Sequence, residues 1–187
     1  MENTEQTTVS SPVKGYRNIS LKWGLICAAF LIVLSVLMYI INWELMVNMW
    51  MGFAGLAVMI VLFVLGVKEV KANLGGYISI SEGLFSIFLM YIVASFISML
   101  FNYALMNWID PNLPVLMKEK TIETTVEMMQ KFGASEEDVN KTLDQLDSMD
   151  TASFSALFWQ FVKGSAFGFI IAFIIALIVR KKRPVFE

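Results

Sequence analysis

Histidine is absent from this 187-residue chain, and cysteine occurs once, at Cys27. The first absence removes the commonest general base and the commonest metal ligand. The second excludes an intrachain disulfide and any cysteine cluster that could hold a metal. No H-E-x-x-H, G-x-S-x-G or Walker A motif occurs. A serine nucleophile would need a lysine base, and Lys163 has only Ser165 nearby, two residues on and facing another way on a helix. No basic–aromatic array suggests nucleic acid, and no D-x-D-x-D-G spacing suggests a calcium loop. The expectation is a protein that is not an enzyme and carries no cofactor or metal.

Charge is also missing from long stretches. Trp23–Ile41 and Leu45–Val67 have no acid or base, Ile78–Trp108 has only Glu82 near its start, and Phe154–Val179 has only Lys163. Each can cross roughly 30 Å of hydrocarbon, which takes about 20 helical residues. The hydrophobic share is 57%, above the roughly 45–50% of soluble domains. A soluble helix must meet water on one side, so helices apolar all round belong in lipid. The fold class expected is all-α, an integral membrane four-helix bundle. The first run is too long for a signal-peptide core and lacks a small-x-small cleavage site, so an uncleaved span is expected. The organisation expected is a tail at 1–21, spans within 22–109, a loop at 110–152, a fourth span at 153–180 and a tail at 181–187.

Orientation follows from Lys and Arg near the span ends. Lys14, Arg17 and Lys22 precede the first span, Lys68 and Lys71 follow the second, and Arg180-Lys181-Lys182-Arg183 follows the fourth. With four spans these clusters share one side, which should be cytoplasmic, with both termini. The 110–152 segment then lies outside, with four lysines against ten acids, a balance of −6. Trp43, Trp50, Trp108 and Trp159 map near the outer surface, and Trp23 near the inner. Ser79 and Glu82 match the S-x-x-E capping box, marking the start of the third helix.

The outer segment reads as a hairpin of two amphipathic helices. Pro111 and Pro114 end the third span. Val115, Ile122, Val126, Met129 and Phe132 then recur at helical spacing until Gly133. Ser135-Glu136-Glu137-Asp138 opens a second helix, with acids where the helix dipole favours them. Val139, Leu143, Leu146 and Met149 form its apolar stripe. A disordered acidic loop is the alternative.

Small residues at Gly164, Gly168, Ala172 and Ala176 form a groove along the fourth span, a helix-packing face in lipid. It would serve packing within the chain or, alternatively, a homodimer. Ala94, Ser98 and Asn102 form a comparable row on the third span, and Ser20, Gly24 and Ala28 on the first. Lys163, Asn102 and Glu82 are the candidate intramembrane polar residues. Against a pathway role, Lys163 can snorkel or bond Asn102, and Glu82 is explained by its cap. Asn48 and Asn102 are expected to hydrogen-bond between helices.

Lys22-Trp23-Gly24-Leu25, Gly76-Tyr77-Ile78-Ser79 with Glu82-Gly83, Ile109-Asp110-Pro111, the S-E-E-D cap and Phe167-Gly168-Phe169-Ile170-Ile171-Ala172 before the basic tail occur in a characteristic order. In this the chain resembles the bacterial membrane-protein family called domain of unknown function 4199, from about Ile19 to Phe186. The resemblance implies a four-span, envelope-associated protein of the bacterial cytoplasmic membrane, with no catalytic residues to carry over. The role expected is scaffold, assembly or regulation, with the bilayer and an envelope protein as partners, the latter met through the acidic hairpin. A small transporter or channel subunit using Lys163, Asn102 and Glu82 is the alternative.

Overall fold

The computed structural model describes residues 12–181, with side chains from Tyr16 onward. Lys14, Lys182 and Arg183 of the basic clusters therefore lie outside the described side chains. The helices are α1 (Pro12–Asn42), α2 (Met49–Asn73), α3 (Ile80–Ala104), α4 (Leu113–Lys131), α5 (Glu136–Ser148) and α6 (Phe154–Val179). Among the described residues the only β feature is one antiparallel bridge, Ile78 with Lys181. Four helical stretches are long and apolar enough to cross a membrane: Tyr16–Met46, Met49–Asn73, Ile80–Ile109 and Phe154–Val179. In hydrocarbon a helix satisfies its backbone internally, which is why apolar runs of this length take that form. The protein is an all-α membrane bundle.

The connections explain the ends. After α1 the chain makes a 3-10 turn over Trp43–Met46, started by Asn42, whose side chain accepts from Glu44 N. Asn48 then caps α2, its Oδ1 accepting from Trp50 N (2.9 Å) and Met51 N (3.3 Å). Leu45 and Met46 thus belong to the turn, and Asn48 bonds its own helix start rather than a neighbouring helix. At the other end Gly75 and Gly76 adopt φ of 77° and 85°, a backbone that L side chains resist. The capping box forms in full: Ser79 Oγ accepts from Glu82 N, and Glu82 Oε2 accepts from Ser79 N at 2.8 Å.

α3 is the central helix, with its broadest interfaces to α1 and α6, while α2 packs mainly on α1 and meets α3 and α6 less. Close approach depends on small residues. A Cβ on Gly24 of α1 would sit 2.8 Å from Val93 Cβ, and one on Gly168 of α6 would sit 2.5 Å from the Tyr91 ring. Gly83 faces Ala176. The stripe of Gly164, Gly168 and Ala176 therefore lies against α3 of the same chain. Lipid is as apolar as these side chains, so dispersion at such contacts, not removal from water, holds the spans together.

The core concentrates at the Lys-rich end. Cys27, Phe63, Val67, Val70, Ile78, Ile87, Met90, Ala172, Ile175 and Ala176 are all buried there or toward the bundle middle. Three tethers close this end. Lys22 Nζ and Trp23 Nε1 both donate to Glu69 (2.7 Å from the indole), Lys71 Nζ donates to the Val179 carbonyl (2.9 Å), and Ile78 pairs its backbone with Lys181. The described basic residues of all three clusters thus share one end of the bundle.

At the opposite end α3 does not run straight into the loop. Its last turn widens into a π turn over Leu105–Ile109, closed by Asp110 N donating to Leu105 O at 2.8 Å. The extra residue per turn lets the adjacent Leu105 and Met106 both face inward, while Trp108 and Ile109 face outward. α4 and α5 then form the helical hairpin, with Gly133 (φ 74°) in the corner and Ser135 capping α5. Its base is anchored: Leu113 and Pro114 are buried, Tyr39 Oη donates to Asp110, and Asn107 Nδ2 donates to Ala152 O. Its tip is free, with Phe132 85% exposed.

Candidate functional site

The feature that most distinguishes the two ends is a cavity. Between the hairpin-side halves of α1, α2, α3 and α6 lies a partly open space of about 610 Å³. Met38 and Met46 approach from α1 and its following turn, Met51 and Met59 from α2, Met99 and Met106 from α3 and its π turn, and Met117 from α4. Thioether side chains are unbranched and polarisable, so they can refill an irregular space as its contents change. Gly52 and Gly55 of α2 line the same space, and a Cβ on Gly52 would meet nothing within 4 Å. Among the lining residues, Gly52 of α2 and Gln160 of α6 are the exposed ones. Among the described residues, no charged one lines this cavity.

Its polar groups are few. Tyr91, Ser95, Ser98 and Asn102 of α3 and Gln160 of α6 reach it. Asn102 Nδ2 donates to Ser98 O of its own helix at 2.8 Å, so the expected interhelical bond is not formed. A smaller void of about 220 Å³ adjoins through Leu31, Leu34, Met38, Met46, Ser98 and Asn102, and brings in Ser35 of α1. Ser35 Oγ and Ser98 Oγ are buried without a hydrogen-bond partner, as is Ser86 Oγ, which lines neither void. A third space of about 240 Å³ lies under the hairpin between α4, α5 and the start of α6, and touches Lys118.

The three candidate polar residues do not meet. Asn102 borders the cavity, Lys163 is exposed on α6 and absent from its lining, and Glu82 sits at the Lys-rich end in its cap. Among the described residues, no group of three or more His, Cys, Asp or Glu could hold a metal ion.

Outside the spans two groups have displaced acidities. The Ser153 hydroxyl, followed by the amides of Ser153 and Ala152, holds the Asp150 carboxyl below its usual range. The hydrogen bond to Glu123, at 2.7 Å, raises Lys120 above its usual value. Asp150 is exposed and Lys120 partly so, and they shape the surface of the hairpin and its link to α6.

Sequence reasoning missed the Glu69 cluster because Lys68 and Lys71 made the segment look like a basic loop. It is the last turns of α2, which runs on to Asn73. The signal was one acid among bases, opposite Lys22-Trp23.

A family model for proteins of unknown function, DUF4199, matches residues 22–181. The chain belongs to this family. The match runs from α1 through the Lys181 bridge, so the DUF4199 unit includes all four spans and the hairpin. No match to this DUF4199 chain is found among curated proteins or among solved structures.

Proposed function

We propose that this DUF4199 protein is a non-catalytic assembly or regulatory component of a bacterial cytoplasmic membrane, whose hairpin is the contact surface for an envelope protein. The observation that carries the reading is the hairpin's separateness. α5 buries no residue and packs on α4, leaving an acidic face and the Phe132 tip unengaged. The gathering of basic residues at the opposite end supports a cytoplasmic position for that end and an outer position for the hairpin. Affinity capture from mild detergent, with the full chain and with a chain lacking 115–149, tests the reading. Partners lost with the hairpin are expected; identical partner sets would contradict it.

A small transporter is the second reading, and the cavity is what favours it. The separation of Lys163, Asn102 and Glu82 weighs against the version that runs through those three. In that version Lys163→Ala and Glu82→Gln alter ion flux in reconstituted vesicles, and unchanged flux in both removes it.

A further inference from the structure

We infer that the methionine-lined cavity is a binding site for an uncharged amphiphile dissolved in the bilayer, one with a single apolar chain and a hydroxyl or ester head. Four observations converge on this occupant. The volume of about 610 Å³ falls within the roughly 300–1,000 Å³ typical of small-molecule sites. The lining residues that are exposed, Gly52 and Gln160, belong to two different spans, α2 and α6, which points to entry between them from the side of the bundle. Among the described residues the lining carries no acid or base, so a charged head buried there would stay uncompensated.

The fourth observation is the state of the serines. A helical serine in lipid ordinarily satisfies its hydroxyl by donating to the carbonyl one turn back. Ser20, Ser95 and Ser165 do this at 2.9, 2.6 and 2.8 Å. Ser35, Ser86 and Ser98 do not, and their oxygens have no partner; of these, Ser35 and Ser98 border the adjoining voids, whereas Ser86 lies away from them. An unmet buried hydroxyl is costly, and a ligand oxygen beside it removes that cost. Asn102 Nδ2 donates to Ser98 O and its side chain lines the same cavity, so its carbonyl oxygen is the acceptor a ligand hydroxyl would use. Ser98 and Asn102 therefore set a donor and an acceptor about one turn apart on α3, partway along an otherwise mainly apolar lining that runs from Tyr91 to Met106, which matches a chain with one neutral polar head. The methionines let chains of differing shape fit the remainder.

The full chain, reconstituted in phosphatidylcholine vesicles, is photolysed with a monoacylglycerol carrying a mid-chain diazirine. Matched alkyl phosphate and alkyltrimethylammonium probes run in parallel. The monoacylglycerol adducts are expected within 51–59 of α2 and 157–164 of α6, with the two charged probes labelling there far less. Gly52→Leu fills the mouth, where a side chain meets no obstacle, and is expected to abolish this labelling at unchanged melting temperature. Ser98→Ala lowers it about fivefold, the share of one hydrogen bond. Gly55→Leu serves as a second mouth-filling variant if Gly52→Leu fails to fold. Labelling spread evenly over outward positions such as Val61 and Ile178, equal labelling by the charged probes, or labelling unchanged by these variants would overturn the inference.

Discussion

The two ends of this bundle are built from similar apolar helices, yet one is shut and the other open. From the bundle middle to the Lys-rich end, Gly168, Gly24 and Gly66 let side chains such as Tyr91, Val93 and Met90 come against bare backbone. Polar tethers from Glu69, Lys71 and the Ile78–Lys181 bridge then fasten the helix ends together. At the hairpin end, glycines of the same helix α2 face space: Gly52 meets nothing, and Gly55 only Leu34 at 3.4 Å. A small residue in a membrane helix therefore has no single meaning. It closes an interface where a bulky partner fills the gap, and it leaves a void where none does.

The largest predicted effect breaks the comparison at its tightest contact. Gly168→Ala places a methyl 2.5 Å from the Tyr91 ring, so unfolding in detergent should show a loss of about 1–3 kcal/mol, the usual cost of overpacking. Gly52→Ala should instead be neutral or stabilising by up to about 1 kcal/mol, because alanine is the better helix former and nothing obstructs it. Equal losses at both positions would mean that the ends are packed alike.

Next in size is the cap of α2. Asn48→Ala removes the acceptor for Trp50 N and Met51 N and should cost about 1 kcal/mol. Asn48→Asp should retain most of that stability, whereas an interhelical role for the Asn48 amide group would make aspartate as damaging as alanine. Thermal unfolding of the two variants separates these outcomes.

A smaller effect is expected at the tethered end. The Lys22–Glu69 pair is about half exposed, and such pairs contribute only about 0–1 kcal/mol. Glu69→Gln should leave the melting temperature almost unchanged, but it should alter Trp23 fluorescence because the indole N–H loses its carboxylate partner.

The smallest effect is a pH response confined to the open end. The Asp150 carboxyl titrates below its unfolded value because of Ser153 and Ala152. Its contribution is complete above the ordinary aspartate range and is lost as pH falls through the depressed value. Amide exchange at Ala152 and Ser153 should therefore quicken below that range. Exchange at the Gly83 and Ile87 amides of the closed end should show no matching change.

Much of the architecture was legible in the sequence, and for definite reasons. Span length and missing charge gave four membrane helices, and the Ser79–Glu82 box marked the start of α3 within a residue. Gly133 and Ser135 placed the corner of the hairpin. The cavity was not legible. α2 is apolar on every face, so no periodicity reveals which side of it meets protein, lipid or empty space. Asn48 and Asn102 were misread for a related reason: an asparagine in an apolar run looks alike whether it bonds across helices or to its own backbone. Ser98 was visible only as part of a small-residue row, and its unmet hydroxyl appears only once the neighbours are placed.

The most direct test concerns the separation of α2 and α6 at their two ends. In a Cys27→Ser background, spin labels at Phe53 and Phe158 report the hairpin end in bilayers, and labels at Lys68 and Ile178 report the Lys-rich end. Pulsed dipolar spectroscopy should give a longer and broader distance distribution for the Phe53–Phe158 pair. A distribution as short and narrow as that of the Lys68–Ile178 pair would contradict an open hairpin end.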